Sequence, residues 1–573
     1  MVRLETAAGS PRAAWAVPVV LAVLTLLVSP DLMPAYGEIN AFDEAKYIES
    51  GRLLLRGELR ELTWGPLVAL VYAPFHLIFG RSPDWFVIEA GSGRVLMFVA
   101  MCLSTYYLAL QVKGTVSRYA ILGVLFVSAA FLDVLKNPSD ALYVTFSALA
   151  LAKLIAFVDG RRNSDLAWAS LLLGLSVLAR FEAIILILPM LLVVLLSRTP
   201  APSVVRSLLA ATLPAAAMVG AYLIAFRLTS PGVDLGIAGK SYDSFEVNQP
   251  LPGPGTRSDR RALARSLFGT AEENHGSVFR AALRNPVAFV ARPLANLRQL
   301  PDIYLFTFGK RLGPALLLPA LWGAFLLVRT GRSKHLGLMG LWATVPMVSL
   351  MFLPLHIARQ LSALILVLAS VGLTSVLRGE LAGMARALLL IAMLLLGAYG
   401  LLDGKLALLV VGIVMAGALA LAWLSGPPQS QESMGGYQWG VLLLAGGLIL
   451  RGSYPFPDYS PIGVSPQEQV VHYLQRELPR AARVLESLPL PANAAKLQEI
   501  SWSAAPEEFS NASDLHQWLL AQRIAAVFVD RRDAPRPDIV VLLEAGLGTQ
   551  FELGYQSENG SLRVFLPRAD LGN

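Results

Sequence analysis

Residues 13–47 read AAWAVPVVLAVLTLLVSPDLMPAYGEINAFDEAKY. The apolar run at 13–30 is near the length needed to cross a bilayer. Shortly beyond it stand two adjacent carboxylates, Asp43 and Glu44. If 13–30 spans a membrane, Asp43 lies at the water interface. If 41–56 forms a helix, Asp43, Lys46, Tyr47 and Ser50 share one face, because positions i, i+3, i+4 and i+7 coincide on a 3.6-residue period. A carboxylate held beside apolar surface can act as a general base or a metal ligand. Asp and Glu are also what the first turn of any helix favours, through its dipole. Spacing alone leaves both readings open.

The rest of the chain supplies the context. Of 573 residues, 55% are hydrophobic and only 15% charged, with a mean hydropathy of +0.57. Soluble domains carry about 25% charged residues. Apolar runs that could span fall at about 13–30, 88–111, 117–134, 141–158, 166–180, 182–197, 207–228, 312–329, 336–354, 360–377, 386–402, 406–424 and 438–451. That makes a mainly α, polytopic helical membrane protein of about thirteen transmembrane helices. The runs at 166–180, 182–197 and 438–451 are the shortest. Residues 66–80 (PLVALVYAPFHLIFG), short and interrupted by proline, read as an interfacial helix. The N-terminus reads as an uncleaved signal anchor, since no small-x-small cleavage pattern follows it.

Basic residues give the orientation. With the N-terminus inside, the short inner connections carry Arg3, Arg12, Lys113, Arg118, Arg161, Arg162, Arg198, Arg206, Arg329, Arg332, Lys334, Arg378 and Arg386, and the short outer ones only Lys136, Arg180, Arg359 and Lys405. This asymmetry follows the positive-inside rule and accounts for the net charge of +7 without a nucleic-acid partner. Cys102, the only cysteine, rules out an intrachain disulfide framework and a cysteine metal cluster.

The expected domains are a transmembrane region at 1–452, with long outer loops at about 31–87 and 230–311, and a soluble α/β domain at 453–573 outside the cytoplasm. In the second domain, helical patterns at 466–477 and 513–523 alternate with β-rich runs at 483–486, 524–530, 550–555 and 562–566. On the outer side, Leu135-Lys-Asn-Pro-Ser-Asp140 places Asp140 at the start of a helix, where an N-cap is the alternative reading. The loop at 230–311 holds Lys240 and Tyr242, then a Pro/Gly linker at 250–255. It continues into 277–299, where Arg280, Arg284, Arg292 and Arg298 alternate with apolar residues, as in helices lying on a membrane surface. His356-Ile-Ala-Arg359 enters another helix from the outside.

In order along the chain stand Phe42-Asp43-Glu44-Ala-Lys-Tyr47, Ile78-Phe-Gly80, Arg94, Asn137-Pro-Ser-Asp140 and Gly174-Leu-Ser-Val-Leu-Ala-Arg-Phe-Glu182. This succession resembles the GT-C superfamily of membrane glycosyltransferases, in particular the branch of protein O-mannosyltransferases and lipid A aminoarabinose transferases. The resemblance implies that Asp43, with Glu44 beside it, is the catalytic carboxylate near the acceptor hydroxyl, and that Asp140 is a second acidic residue at the same cavity. It implies a polyprenyl-phosphate sugar donor and a lipid, glycan or protein acceptor. Where the aminoarabinose branch has a Glu-Lys-Pro-Pro element, this chain has Leu62-Thr-Trp-Gly-Pro-Leu67, so the metal-holding Glu and phosphate-contacting Lys are missing there. A divalent metal stays possible, with no ligand set assigned; His275 and His356 are the histidines considered.

Transfer from such a donor needs a base, cations for the leaving phosphate and an apolar groove for the tail. Asp43 is expected as the base, with Asp140 orienting the acceptor or raising the pKa of Asp43 by like-charge proximity. Lys136, Lys240, Arg359 and Arg180 are the expected cations, and Tyr242 and Trp64 the candidates for stacking on a sugar, with interface anchoring by these aromatics as the alternative reading. The expected location is a bacterial inner (plasma) membrane, with the site outside the cytoplasm. Two rivals remain. A transporter would show internal repeats and charges at mid-bilayer depth; the halves show no clear repeat. A catalytically inactive GT-C-like assembly subunit would also account for the missing Glu-Lys-Pro-Pro element.

Overall fold

The computed structural model describes residues 43–112, 130–196, 201–229, 237–251, 257–307, 313–343, 354–377 and 466–568, with breaks at 60–61, 83, 480–481, 487–489, 507, 531–535 and 559 and a few isolated positions elsewhere. The expected anchor at 13–30, most of 117–134, the runs at 386–402, 406–424 and 438–451, most of the linker at 250–255 and the boundary near 453 lie outside the described residues. The chain is a mainly helical, polytopic membrane protein with a small C-terminal α/β region. Its described residues divide into two compact units, one within 59–67 and 94–458, the other within 33–58, 68–93 and 459–573.

The helices up to Leu377 are α1 (Asp43–Leu55), α2 (Pro66–Phe79), α3 (Trp85–Gln111), α4 (Pro138–Gly160), α5 (Asn163–Ala179), α6 (Ile187–Leu196), α7 (Ala201–Thr229), α8 (Ile237–Val247), α9 (Arg257–Phe268), α10 (Val278–Arg284), α11 (Pro286–Thr307), α12 (Gly313–Arg329), α13 (Ser333–Trp342) and α14 (Pro354–Leu377). A short helical turn at Ala130–Leu135 precedes α4. Three stretches among the described residues are long and apolar enough to cross a membrane: Trp85–Gln111, Pro138–Gly160 and Val204–Thr229. A helix satisfies its own backbone, which is what hydrocarbon demands. The three differ in surroundings. In α4, 72% of the apolar window is buried against protein, and in α7 only 11%. Leu209, Leu213, Ile224 and Leu228 of α7 stand exposed, as do Leu188, Leu195 and Leu196 of α6. In a membrane protein such side chains face lipid.

In the first unit α4 packs on α5 and α14, α5 on α7, and α12 along α14. The indole of Trp322 on α12 donates to Ser375 Oγ on α14 at 2.9 Å. At the end of α4, Asp159 accepts from Lys334 and lies 3.1 Å from the His335 ring, tying α4 to α13.

The segment from α8 to α11 builds its own small core of Tyr242, Phe245, Phe268 and Ala281. The expected helix pair at 277–299 forms as α10 and α11, broken at Asn285 before Pro286. One stripe of the pair, Phe279, Leu283, Val287, Val290, Leu294 and Leu297, is exposed and apolar. Arg292 departs from the expected surface row. It is buried, its guanidinium 4.0 Å from the Phe245 ring centroid and donating to Gln249 and the Phe245 carbonyl. The apolar stripe suits the headgroup–acyl boundary. A spin label at Val287 in lipid nanodiscs is expected to be more accessible to oxygen than to a water-soluble nickel chelate, and a label at exposed Arg280 the reverse.

The C-terminal region has helices α15 (Pro466–Glu477), α16 (Leu490–Ala494), α17 (Ala512–Ala521) and α18 (Pro537–Ala545) and strands β1 (Arg483–Glu486), β2 (Gln498–Ser501), β3 (Ile524–Asp530), β4 (Phe551–Gln556) and β5 (Leu562–Pro567). Strand order is β2-β1-β3-β5-β4, with β1 parallel to β2 and β3, and β5 antiparallel to β3 and β4. β3 reads IAAVFVD because it is central and covered on both faces. Val527 and Val529 join Leu515, Leu519 and Ile539 in one core, while Ala526 and Phe528 join Val470 and Leu474 in the other.

Glu486, at the end of β1, is fully buried and accepts from the Ala492 amide. Burial, with Glu499 nearby, raises its pKa well above the ordinary glutamate value of 4.5. The folded state therefore holds a proton that the unfolded chain releases above about 4.5. Its contribution to stability is full below that pH and is lost as pH rises through the folded pKa. Glu486→Gln is expected to keep the acceptor and to flatten the fall in melting temperature above about pH 5, read by thermal unfolding of the full-length protein across pH.

Candidate active site

The site residues expected from the sequence fall in both units. In the first, α4 begins at Asn137, with Pro138 at its first position, where the missing N–H costs nothing. Asp140 therefore does not cap the helix. Its carboxylate is fully buried and instead takes Arg180 Nη1 at 2.7 Å and Arg359 Nη1 at 3.7 Å. Gln360 Nε2 lies 3.5 Å away, and Arg180 also reaches Ser139 Oγ at 3.4 Å.

Arg180 is placed by a break in helical structure. α5 ends at Ala179, Arg180 is extended (φ −146, ψ 118), and a 3-10 turn, Phe181–Leu186, follows. Irregular backbone at membrane depth is tolerated where it lines a polar site. The 3-10 turn at Leu62–Trp64 leads to Gly65, which is left-handed (φ +58). A Cβ there would stand 2.3 Å from the Ala179 carbonyl and 3.5 Å from Ser139 Cβ. The stretch that replaces Glu-Lys-Pro-Pro thus packs against the two residues that precede Arg180 and Asp140. No side chain other than hydrogen fits there.

The buried part of this cluster sets one carboxylate against two guanidiniums. Glu182, 3.3 Å from Arg180, is 42% exposed and screened by water. Asp140 therefore organises cations. Beside the cluster, Tyr143, Ser147, Ala148, Trp342, Gln360, Ala363 and Leu364 line a small gap with room for about one water molecule. Gln360 belongs to both.

Of the other expected cations, Lys136 is exposed just before the Asn137 cap, and the side chain of Lys240, in α8, lies outside the described residues. Tyr242 is corrected. It is fully buried, its hydroxyl donating to the Gly269 carbonyl at 2.7 Å and accepting from Asn274 at 2.8 Å. It holds the α8–α11 core and presents no ring to a sugar. The His356 side chain lies outside the described residues, and His275 sits in an exposed turn at φ +49. Among the described residues no three His, Cys, Asp or Glu side chains group to hold a metal ion.

In the second unit Asp43 and Glu44 form the first turn of α1. Asp43 is half-buried and Glu44 fully buried, so Asp43 is the one with access to solvent. Lys46, one turn on, pairs with Glu499 of β2 at 3.1 Å. Gln360, Ser139 and Gly65 escape a reading of the sequence. For Gly65 the signal was present, as the glycine in the substituted element.

Comparison with known proteins now bears on this geometry. The family model for dolichyl-phosphate-mannose-protein mannosyltransferase matches residues 64–229. No curated protein sequence matches the chain. Among solved structures, ArnT from Cupriavidus metallidurans bound to undecaprenyl phosphate superposes with a TM-score of 0.56 at 14% identity, over 98% of this chain and 99% of that one. Its apo state gives 0.55 at 14% identity and the same coverage. Archaeal oligosaccharyltransferase AglB from Archaeoglobus fulgidus gives 0.47 at 12% identity, over 98% of this chain and 75% of that one. At such identities the likeness is one of fold: the chain shares the fold of ArnT.

Breaking a buried ion pair from one side strands the other charge, at a cost of about 3–5 kcal/mol. Asp140→Ala is therefore expected to lower the melting temperature markedly. Asp140→Ala combined with Arg180→Met is expected to recover part of the loss, as measured by thermal unfolding of the detergent-extracted protein.

Proposed function

We propose that the chain is an integral-membrane glycosyltransferase moving a sugar from a polyprenyl-phosphate donor to an acceptor hydroxyl on the outer face of a bacterial inner membrane. One observation carries this reading: two guanidiniums, with Gln360 beside them, gathered on one buried carboxylate at the start of an apolar helix. Such a donor carries a phosphate, and the two guanidiniums match it in kind. Arginine suits a phosphate because its planar donors meet two oxygens at once. The basic-residue asymmetry supports the outer face, where nucleotide sugars are absent and a lipid carrier is the practical donor.

In this mechanism Asp43 removes the proton from the acceptor hydroxyl as its oxygen attacks the anomeric carbon. The bond from that carbon to the phosphate oxygen breaks, and polyprenyl phosphate leaves with the electron pair. Arg359 and Arg180, with Lys136 and Lys240, stabilise the charge that develops on the phosphate. A single in-line displacement inverts the anomeric configuration. Asp140 holds the two arginines where the charge appears. Glu44 is buried beside Asp43 in the first turn of the same helix.

One observation favours the inactive-subunit reading. The chain lacks the Glu and Lys of the aminoarabinose branch, and Gly65 packs in that place. Activity separates the two. The purified protein is incubated with radiolabelled undecaprenyl-phosphate hexoses and pentoses and an envelope lipid and glycan extract, and labelled product is counted. Label transfer is expected with one donor, falling at least about a hundredfold in Asp43→Asn with the melting temperature unchanged. Transfer undiminished in Asp43→Asn would remove the base assignment. No transfer from any donor by a folded wild type would favour the inactive subunit.

A further inference from the structure

The helix that carries Asp43 is held by residues from the far end of the chain. β-strand side chains alternate between faces, so Val484 and Glu486 point the same way, as do their β2 partners Glu499 and Ser501. On that face α16 packs against α1. Lys46 reaches Glu499 at 3.1 Å, both side chains less than one-fifth exposed. Buried Glu486 lies within electrostatic reach of both.

A second grip lies next to the first. The Trp85 indole donates to the Ala494 carbonyl at 3.1 Å. Lys496 donates to the Gly80 carbonyl, and its ammonium lies 5.2 Å from the Trp85 ring centroid. To do this Lys496 adopts φ +58, a conformation that costs a non-glycine residue free energy and persists where the surroundings hold it. On its other side α1 meets α2 with no gap. A Cβ on Gly51 would stand 2.7 Å from Tyr72 backbone. α1 is thus clamped between α2 and the C-terminal sheet. Asp43 lies three residues before Lys46, on the same helical face.

We propose that the C-terminal α/β domain is the positioning device for the Asp43 helix, and that Lys46 and Glu499 are its positioning residues. The consequence for rate rests on the assignment of Asp43 as base. The clamp itself does not. Positioning is felt when the proton is taken, so its loss lowers kcat and leaves the donor KM alone.

The test uses the full-length protein in nanodiscs and two readouts. One is amide hydrogen exchange over 43–55. The other is transfer kinetics with the undecaprenyl-phosphate sugar that labels product in the assay above. Glu499→Gln and Lys46→Met are each expected to speed exchange over 43–55 roughly fivefold and to lower kcat by a similar factor. Donor KM is expected to stay unchanged. The charge-exchanged pair, Lys46→Glu with Glu499→Lys, is expected to restore at least half of both. Unchanged exchange in both single variants, or an exchanged pair no better than the singles combined, would overturn the proposal. If Asp43→Asn is inactive while Glu499→Gln changes neither readout, the clamp fails and the base stands. If Asp43→Asn is fully active while Glu499→Gln still loosens 43–55, the clamp stands and the base fails.

Discussion

Asp140 is a carboxylate that cannot be left alone. It sits fully buried at the start of an apolar helix, where an unpaired charge would cost several kcal/mol. Two arginines meet that need, and meeting it fixes much else. Arg180 must leave helical geometry to reach it, so α5 ends at Ala179. The turn at Leu62–Trp64 must approach closely, so a left-handed glycine follows it. Gln360 is drawn to the same oxygens from α14. Three helices and a loop are thereby registered on one another at one end, and two cations are concentrated where the chain otherwise excludes water.

The C-terminal region shows the same logic with different chemistry. Its parallel strands leave Glu486 without solvent, and burial raises its pKa. The neighbouring Glu499 pairs with Lys46 at 3.1 Å. The C-terminal sheet thereby belongs to the same compact unit as the Asp43 helix. Domains of this kind are readily taken for accessory modules. Here the sheet grips the catalytic candidate's own helix.

Local pattern made much of the fold legible in advance. The run at 88–111 became α3, that at 141–158 became α4, and four of the five strands fell close to where β-rich runs stood. These elements announce themselves by apolar length or by bounded β-rich runs. β2 did not, because QEIS is four residues of mixed character, and its place follows only from pairing with β1. The site was half legible. Asp140, Arg180 and Arg359 were all named as candidates, but Arg180 lies 40 residues from Asp140 and Gln360 lies 220. No period in a sequence reports contacts at those distances. Tyr242 failed for the opposite reason. An aromatic residue in a polar loop looks available to a sugar, and only the core of Phe245, Phe268 and Ala281 reveals that it is spoken for.

The most direct measurement is native mass spectrometry of the full-length protein titrated with undecaprenyl phosphate and, in parallel, with undecaprenol. The two ligands share a tail and differ in the phosphate. If the arginines on Asp140 read the phosphate, the wild type binds undecaprenyl phosphate well above undecaprenol, and Arg359→Ala brings the two together. Equal binding of both lipids by the wild type, or a preference that survives Arg359→Ala and Arg180→Ala, would contradict the assignment of this cluster as the donor-phosphate site.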